Sequence, residues 1–87
     1  MIEVKATGAG EYEVTVTEGG AQSRHHVTMS EQQHQNLCPG KDPEACLEAA
    51  FRFLLDREPK EAILGKFDVM VIAKYFPEFE QKLGDYL

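Results

Sequence analysis

The sequence predicts an α+β fold: a three-stranded antiparallel meander followed by three or four short helices. Two observations carry that expectation. Residues 1–29 alternate apolar and polar side chains with period two, whereas the chain from Ser30 onward spaces its apolar residues three and four apart. Strand signals gathered before helix signals belong to α+β rather than to alternating α/β architecture. The 87 residues suffice for one domain, 1–87, with a strand-rich portion (1–29) and a helical portion (30–87).

In the first portion, Ile2 and Val4 alternate with Glu3 and Lys5, and Gly8-Ala9-Gly10 breaks the strand. Tyr12, Val14 and Val16 then oppose Glu13, Thr15 and Thr17, giving one apolar and one polar face. Gly19-Gly20 is a hairpin signal. The return strand runs from Gln22 to Met29, with His25, Val27 and Met29 on one face.

In the second portion, Ser30 and Gln33 form a capping box for a short helix that stops near Pro39-Gly40. Asp42-Pro43-Glu44 starts the main helix, expected from Pro43 to about Arg57, with Asp42 accepting the free amides. Leu47, Ala50, Phe51, Leu54 and Leu55 line its buried side, widened by Cys46 and Phe53. Pro59 is expected to start another helix through Ala62, Ile63 and Leu64, closed by a left-handed Gly65. Asp68 is expected to cap a third, with Phe67 stapled against Ile72. Beyond Pro77, Phe79, Leu83, Tyr86 and Leu87 form an amphipathic tail.

The chain is acidic, at net −6, and residues 1–40 and 41–87 each carry −3. That disfavours nucleic acid and anionic membranes as partners, since both are bound by clustered Lys and Arg. The longest apolar run, Val69 to Ala73, is far short of the roughly 20 residues of a membrane span. No signal peptide is expected, because Met1-Ile2-Glu3-Val4 alternates from the start. Cys38 and Cys46 are too few for a disulfide framework, so the default is a cytoplasmic setting with a buried thiol at Cys46 and a helix-end residue at Cys38.

Little in the chain points to catalysis. His26, His34, Cys38 and Cys46 are four soft ligands in number, but their spacing matches no zinc pattern. A Cys–His nucleophile pair lacks a third residue to orient it. The carboxylates at Glu58 and Glu61 sit where a helix start favours them on structural grounds. No GxGxxG or Walker motif is present. No enzyme activity, metal or cofactor is therefore expected.

Two binding readings remain. Tyr75, Phe76 and Phe79 straddle Pro77 and form either a core lock or an exposed patch that docks a partner protein or a second copy. Alternatively, a strand followed by a short and a long helix has the order of a ribbon-helix-helix regulator, in which Arg24, His26 and Thr28 would face DNA.

The stretch Glu44–Glu80 resembles a small bacterial family of short stand-alone proteins without an assigned activity. The resemblance is sharpest at Arg57-Glu58-Pro59-Lys60-Glu61, Phe67-Asp68 and Tyr75-Phe76-Pro77-Glu78, and it covers a little under half the chain. It implies a bacterial, cytoplasmic, single-domain protein and brings no catalytic residues. The expected function is a non-enzymatic interaction or accessory role through protein–protein contacts or self-association, with a ribbon-type DNA regulator as the alternative.

Overall fold

In the computed structural model of residues 1–87, the period-two half folds as three antiparallel strands, β1 (Ile2–Gly8), β2 (Glu11–Glu18) and β3 (Ala21–Thr28). Gly19 and Gly20 turn the β2–β3 hairpin at φ of 58° and 83°. Both angles are left-handed, as a two-residue turn that matches strand twist requires. Gly10, at φ 70°, turns β1 into β2, and a Cβ there would meet the Met29 carbonyl at 3.3 Å. Tyr12, Val14, Val16, His25, Val27 and Met29 are buried on the inner face.

Helices α1 (Glu31–Leu37) and α2 (Pro43–Leu55) follow. The capping box forms as expected: the Gln33 amide donates to Ser30 Oγ at 3.1 Å, and the Ser30 amide donates to Gln33 Oε1 at 2.8 Å. The Asp42 side chain makes no capping bond, so Pro43 carries the α2 start. Helix α2 lays Leu47, Ala50, Phe51 and Leu54 on the sheet, joined by Cys46, Phe53 and the unforeseen Ala49, whereas Leu55 is only half-buried.

The next segment corrects the expected fold. The sheet has four strands and is mixed: β4 (Lys66–Asp68) lies beside β3 and runs parallel to it, giving the order β1-β2-β3-β4. Ala62-Ile63-Leu64 does not continue as a helix. A single 3₁₀ turn at Lys60–Ala62 is followed by extended backbone, and Gly65 is not left-handed. The cause is tertiary. The second edge of β3 would otherwise leave backbone groups unpaired. The extended chain satisfies those of the C-terminal part of β3, His26 to Thr28, with the His26 amide donating to the Gly65 carbonyl at 2.8 Å and the Val69 amide to the Thr28 carbonyl at 2.9 Å.

Asp68 therefore ends a strand instead of capping a helix. Its carboxylate still accepts the Met70 amide at 3.1 Å, and it also accepts Thr28 Oγ1 (2.8 Å) and Gln33 Nε2 (2.9 Å), tying β3, β4 and α1 together. Helix α3 (Val71–Tyr75), helix α4 (Phe79–Lys82) and a 3₁₀ turn (Leu83–Tyr86) close the chain. Phe79 and Leu83 are buried, while Leu87 is exposed. No helix is long and apolar enough to cross a membrane.

The cysteine expectation is also overturned. Cys38 and Cys46 form a disulfide that joins the end of α1 to the first turn of α2, with Cα atoms 5.8 Å apart. The loop through Pro39-Gly40 folds back and brings the two helix ends together, which spacing alone does not reveal.

Candidate functional site

A cleft of about 190 Å³ opens between the end of α2, the Lys60–Ala62 turn, β4 and α3. Leu54, Ile63, Leu64, Phe67, Ile72 and Tyr75 are among its walls, and Glu58 is its one charged residue. Pro59 bends the chain away from α2, and the extended Ile63–Gly65 segment returns it to the sheet; the cleft is the space between those two moves. Leu64 and Tyr75 are 46% and 68% exposed, values that leave them free to be covered by something else.

The cleft borders a sheet edge, because no strand lies beyond β4. Backbone groups of successive residues in a strand point to opposite edges. The bonds through Gly65 and Val69 therefore aim the Phe67 backbone at β3 and leave the N–H and C=O groups of Lys66 and Asp68 facing outward.

The Tyr75–Phe76–Phe79 corner is divided. Phe79 is fully buried, with its ring centroid 5.1 Å from that of Phe53. Phe76 is half-buried, edge-on to Phe53 at 5.9 Å, and its other side lines the cleft. Tyr75 stands out from the surface. One member is thus core, one is wall and one is rim.

Beside the cleft, Arg57 fastens the C-terminal segment to α2. Its guanidinium lies 3.6 Å above the Phe53 ring centroid and donates to Glu78 Oε2 (3.2 Å), Tyr86 Oη (3.3 Å) and the Phe53 carbonyl (3.1 Å). Tyr86 Oη in turn donates to Asp56 at 2.6 Å. The Tyr86 bond, above all, holds the Arg57 pKa above its ordinary value. The Glu78 carboxyl is pulled below the ordinary carboxylate range, first by its own backbone amide and then by Arg57.

A depressed carboxylate pKa stabilises the fold above the unfolded-state value, and this stability is lost as pH falls through the folded-state value. Stability is therefore expected to decline as pH is lowered below about 4.3, the ordinary glutamate value. In Glu78→Gln that decline becomes shallower, as thermal melts across the acid range would register.

The histidines point to opposite faces, as the strand period requires. His25 is buried, its Nδ1 bonded to the Leu64 carbonyl at 2.7 Å and its Nε2 to Ser23 Oγ at 2.8 Å. With Nδ1–H as the donor to the carbonyl, Nε2 accepts from the serine. His25 thereby pins the strand beside the cleft's Leu64 wall. His26 lies outside, 3.2 Å from Glu11.

Arg24 is exposed and Thr28 is held by Asp68. Arg24, His26 and Thr28 share the outer face, but β4 occupies the second edge of β3 at His26–Thr28, so a ribbon across a dyad could use only the part of β3 before His26. His34 bonds the Lys41 carbonyl, both sulfurs are in the bridge, and no cluster of three metal-ligating side chains forms.

Leu64 and Phe67 escaped the sequence reading because Ala62-Ile63-Leu64 and Phe67-Asp68 resemble helix parts. Arg57 was read as the end of the main helix and as part of the resemblance, whose sharpest segments contain both it and its partner Glu78, but its fastening role was not. Comparison of the chain with protein-family models, curated proteins and solved structures yields no match.

Proposed function

We propose that this chain is a non-enzymatic accessory protein that receives an extended segment of a partner protein along β4, with an apolar anchor side chain seated in the cleft. The observation that carries this reading is the open edge of β4 running beside an apolar cleft. An added strand draws affinity from main-chain hydrogen bonds and specificity from a side-chain pocket, and the two features sit together here. Size favours a side chain over a small molecule: about 190 Å³ is below the roughly 300–1,000 Å³ of small-molecule pockets.

A bacterial setting follows from the resemblance of Glu44–Glu80. The compartment turns on the redox state of the bridge: a reducing cytoplasm holds such a pair as thiols, and an oxidising compartment keeps it closed.

Selection from a phage-displayed library of linear peptides tests the proposal. Enriched peptides are expected to share one apolar anchor, to perturb the Lys66 and Asp68 amides in NMR spectra, and to lose at least about tenfold in affinity against Leu64→Ser or Tyr75→Ser. A tenfold loss corresponds to about 1.4 kcal/mol. Because both side chains are exposed, the variants should keep wild-type stability within about 0.5 kcal/mol. Absence of enrichment, or binders indifferent to both substitutions, would sink the reading.

A further inference from the structure

The opposite edge of the sheet carries a separate message, independent of the cleft. β1 has β2 on one side and nothing on the other. Met1 and Thr17 exchange both backbone bonds, each 2.8 Å. In an antiparallel ladder such bonded pairs recur every second residue, so Glu3–Thr15 and Lys5–Glu13 belong to the same class. The N–H and C=O groups of Ile2, Val4 and Ala6 consequently face the open edge.

We propose that β1 pairs with β1 of a second copy, antiparallel about a two-fold axis at Val4, joining the two sheets into one. Charge and the number of outward backbone groups aligned together select the register. A dyad perpendicular to a continuous sheet preserves its faces, so it must pass through a residue and pair positions of equal parity. A dyad at Glu3 sets Glu3 against itself, and one at Lys5 sets Lys5 against itself. Like charges directly opposite are destabilising.

A dyad at Val4 sets Glu3 opposite Lys5 of the second copy, and Lys5 opposite its Glu3. On the inner face it sets Val4 against Val4 and Ile2 against Ala6. Ile2 and Val4 are half-buried against the core within one protomer, so a second copy would complete their cover. The same axis aligns all three outward backbone positions, Ile2 with Ala6, Val4 with Val4 and Ala6 with Ile2. Exposed Lys5 could instead guard the edge against pairing, but a guard has no need of an opposite charge two residues away in self-complementary register.

Light scattering across a concentration series up to millimolar protein tests the pairing. Wild type is expected to dimerise, with slowed exchange of the Val4 amide in the dimer. Glu3→Lys is expected to weaken self-association by about tenfold or more, as is Lys5→Glu. Lys5→Glu also faces Glu13 within its own strand pair, so circular dichroism of each variant confirms that it is folded. An equimolar mixture of the two variants is expected to regain association, because lysines at positions 3 and 5 of one chain then meet glutamates of the other. A wild-type monomer at every concentration, a Glu3→Lys dimer as tight as wild type, or a mixture that stays monomeric would each overturn the proposal.

Discussion

Phe53→Ala is expected to lower the unfolding free energy by about 3–5 kcal/mol, the range for truncating a buried phenylalanine. An 87-residue domain holds about 4–13 kcal/mol in total, so this one change removes a large share of it or all of it. The side chain is fully buried and stands at the centre of the C-terminal cluster. The Phe79 centroid lies at 5.1 Å, those of Phe76 and Tyr86 both at 5.9 Å, and Arg57 covers a ring face at 3.6 Å.

Truncation removes transferred apolar area, leaves a cavity, and takes away the ring that Arg57 covers. Three edge-to-face partners lose their common centre, each such pair being worth about 0.5–1.5 kcal/mol beyond area. Urea titration against wild type measures the loss, with Phe53→Leu as a milder companion. A midpoint shift worth less than about 1 kcal/mol would contradict this role.

The second large effect comes from the bridge. Reduction of Cys38–Cys46, or its replacement by paired alanines, is expected to cost about 2–3 kcal/mol, the chain-entropy value for so short a loop. At about 4–8 °C per kcal/mol for a domain this size, the melting point falls by roughly 10–20 °C. Alanine is preferred to serine because both positions are about 1% exposed, and a hydroxyl there would need a partner. The burial has a kinetic corollary: reductant reaches the sulfurs only when the α1–α2 corner opens. Calorimetry of oxidised and reduced protein decides the matter, and identical melting points would show that the bridge does not stabilise the fold.

Periodicity made the meander legible. Tyr12, Val14 and Val16 can face only one way once the strand exists, and Gly19-Gly20 leaves few alternatives to a tight hairpin. The Ser30–Gln33 box was equally readable, since both partners lie within one turn. Asp68 was not, because a carboxylate before an apolar run has the same local appearance whether it caps a helix or ends a strand. The choice was made by the backbone of β3, some forty residues away, whose second edge needed a partner. The cleft was hidden for the same reason: its walls come from four elements, and only the strand reading of Phe67 brings them together. The bridge required the loop geometry at Pro39-Gly40. The aromatic corner could be read from sequence only as a core lock or a docking patch, because its spacing does not say which ring turns inward; Phe79 is buried, Phe76 half-buried and Tyr75 exposed.

The parallel join of β4 to β3 also sets an order in time. The meander closes through neighbouring hairpins, whereas contacts such as Thr28–Asp68 span 40 residues and bear a larger loop-closure cost. β4 can dock only after α1 and α2 have carried the chain back across the sheet, and a closed Cys38–Cys46 link shortens that journey. The last strand to pair adds three residues of ladder, backed by the Asp68 bonds to Thr28 and Gln33, and is expected to open before the meander does, as hydrogen exchange would register. The cleft is therefore built on the late-forming part of the molecule, and its walls can loosen while the three-stranded meander stays intact.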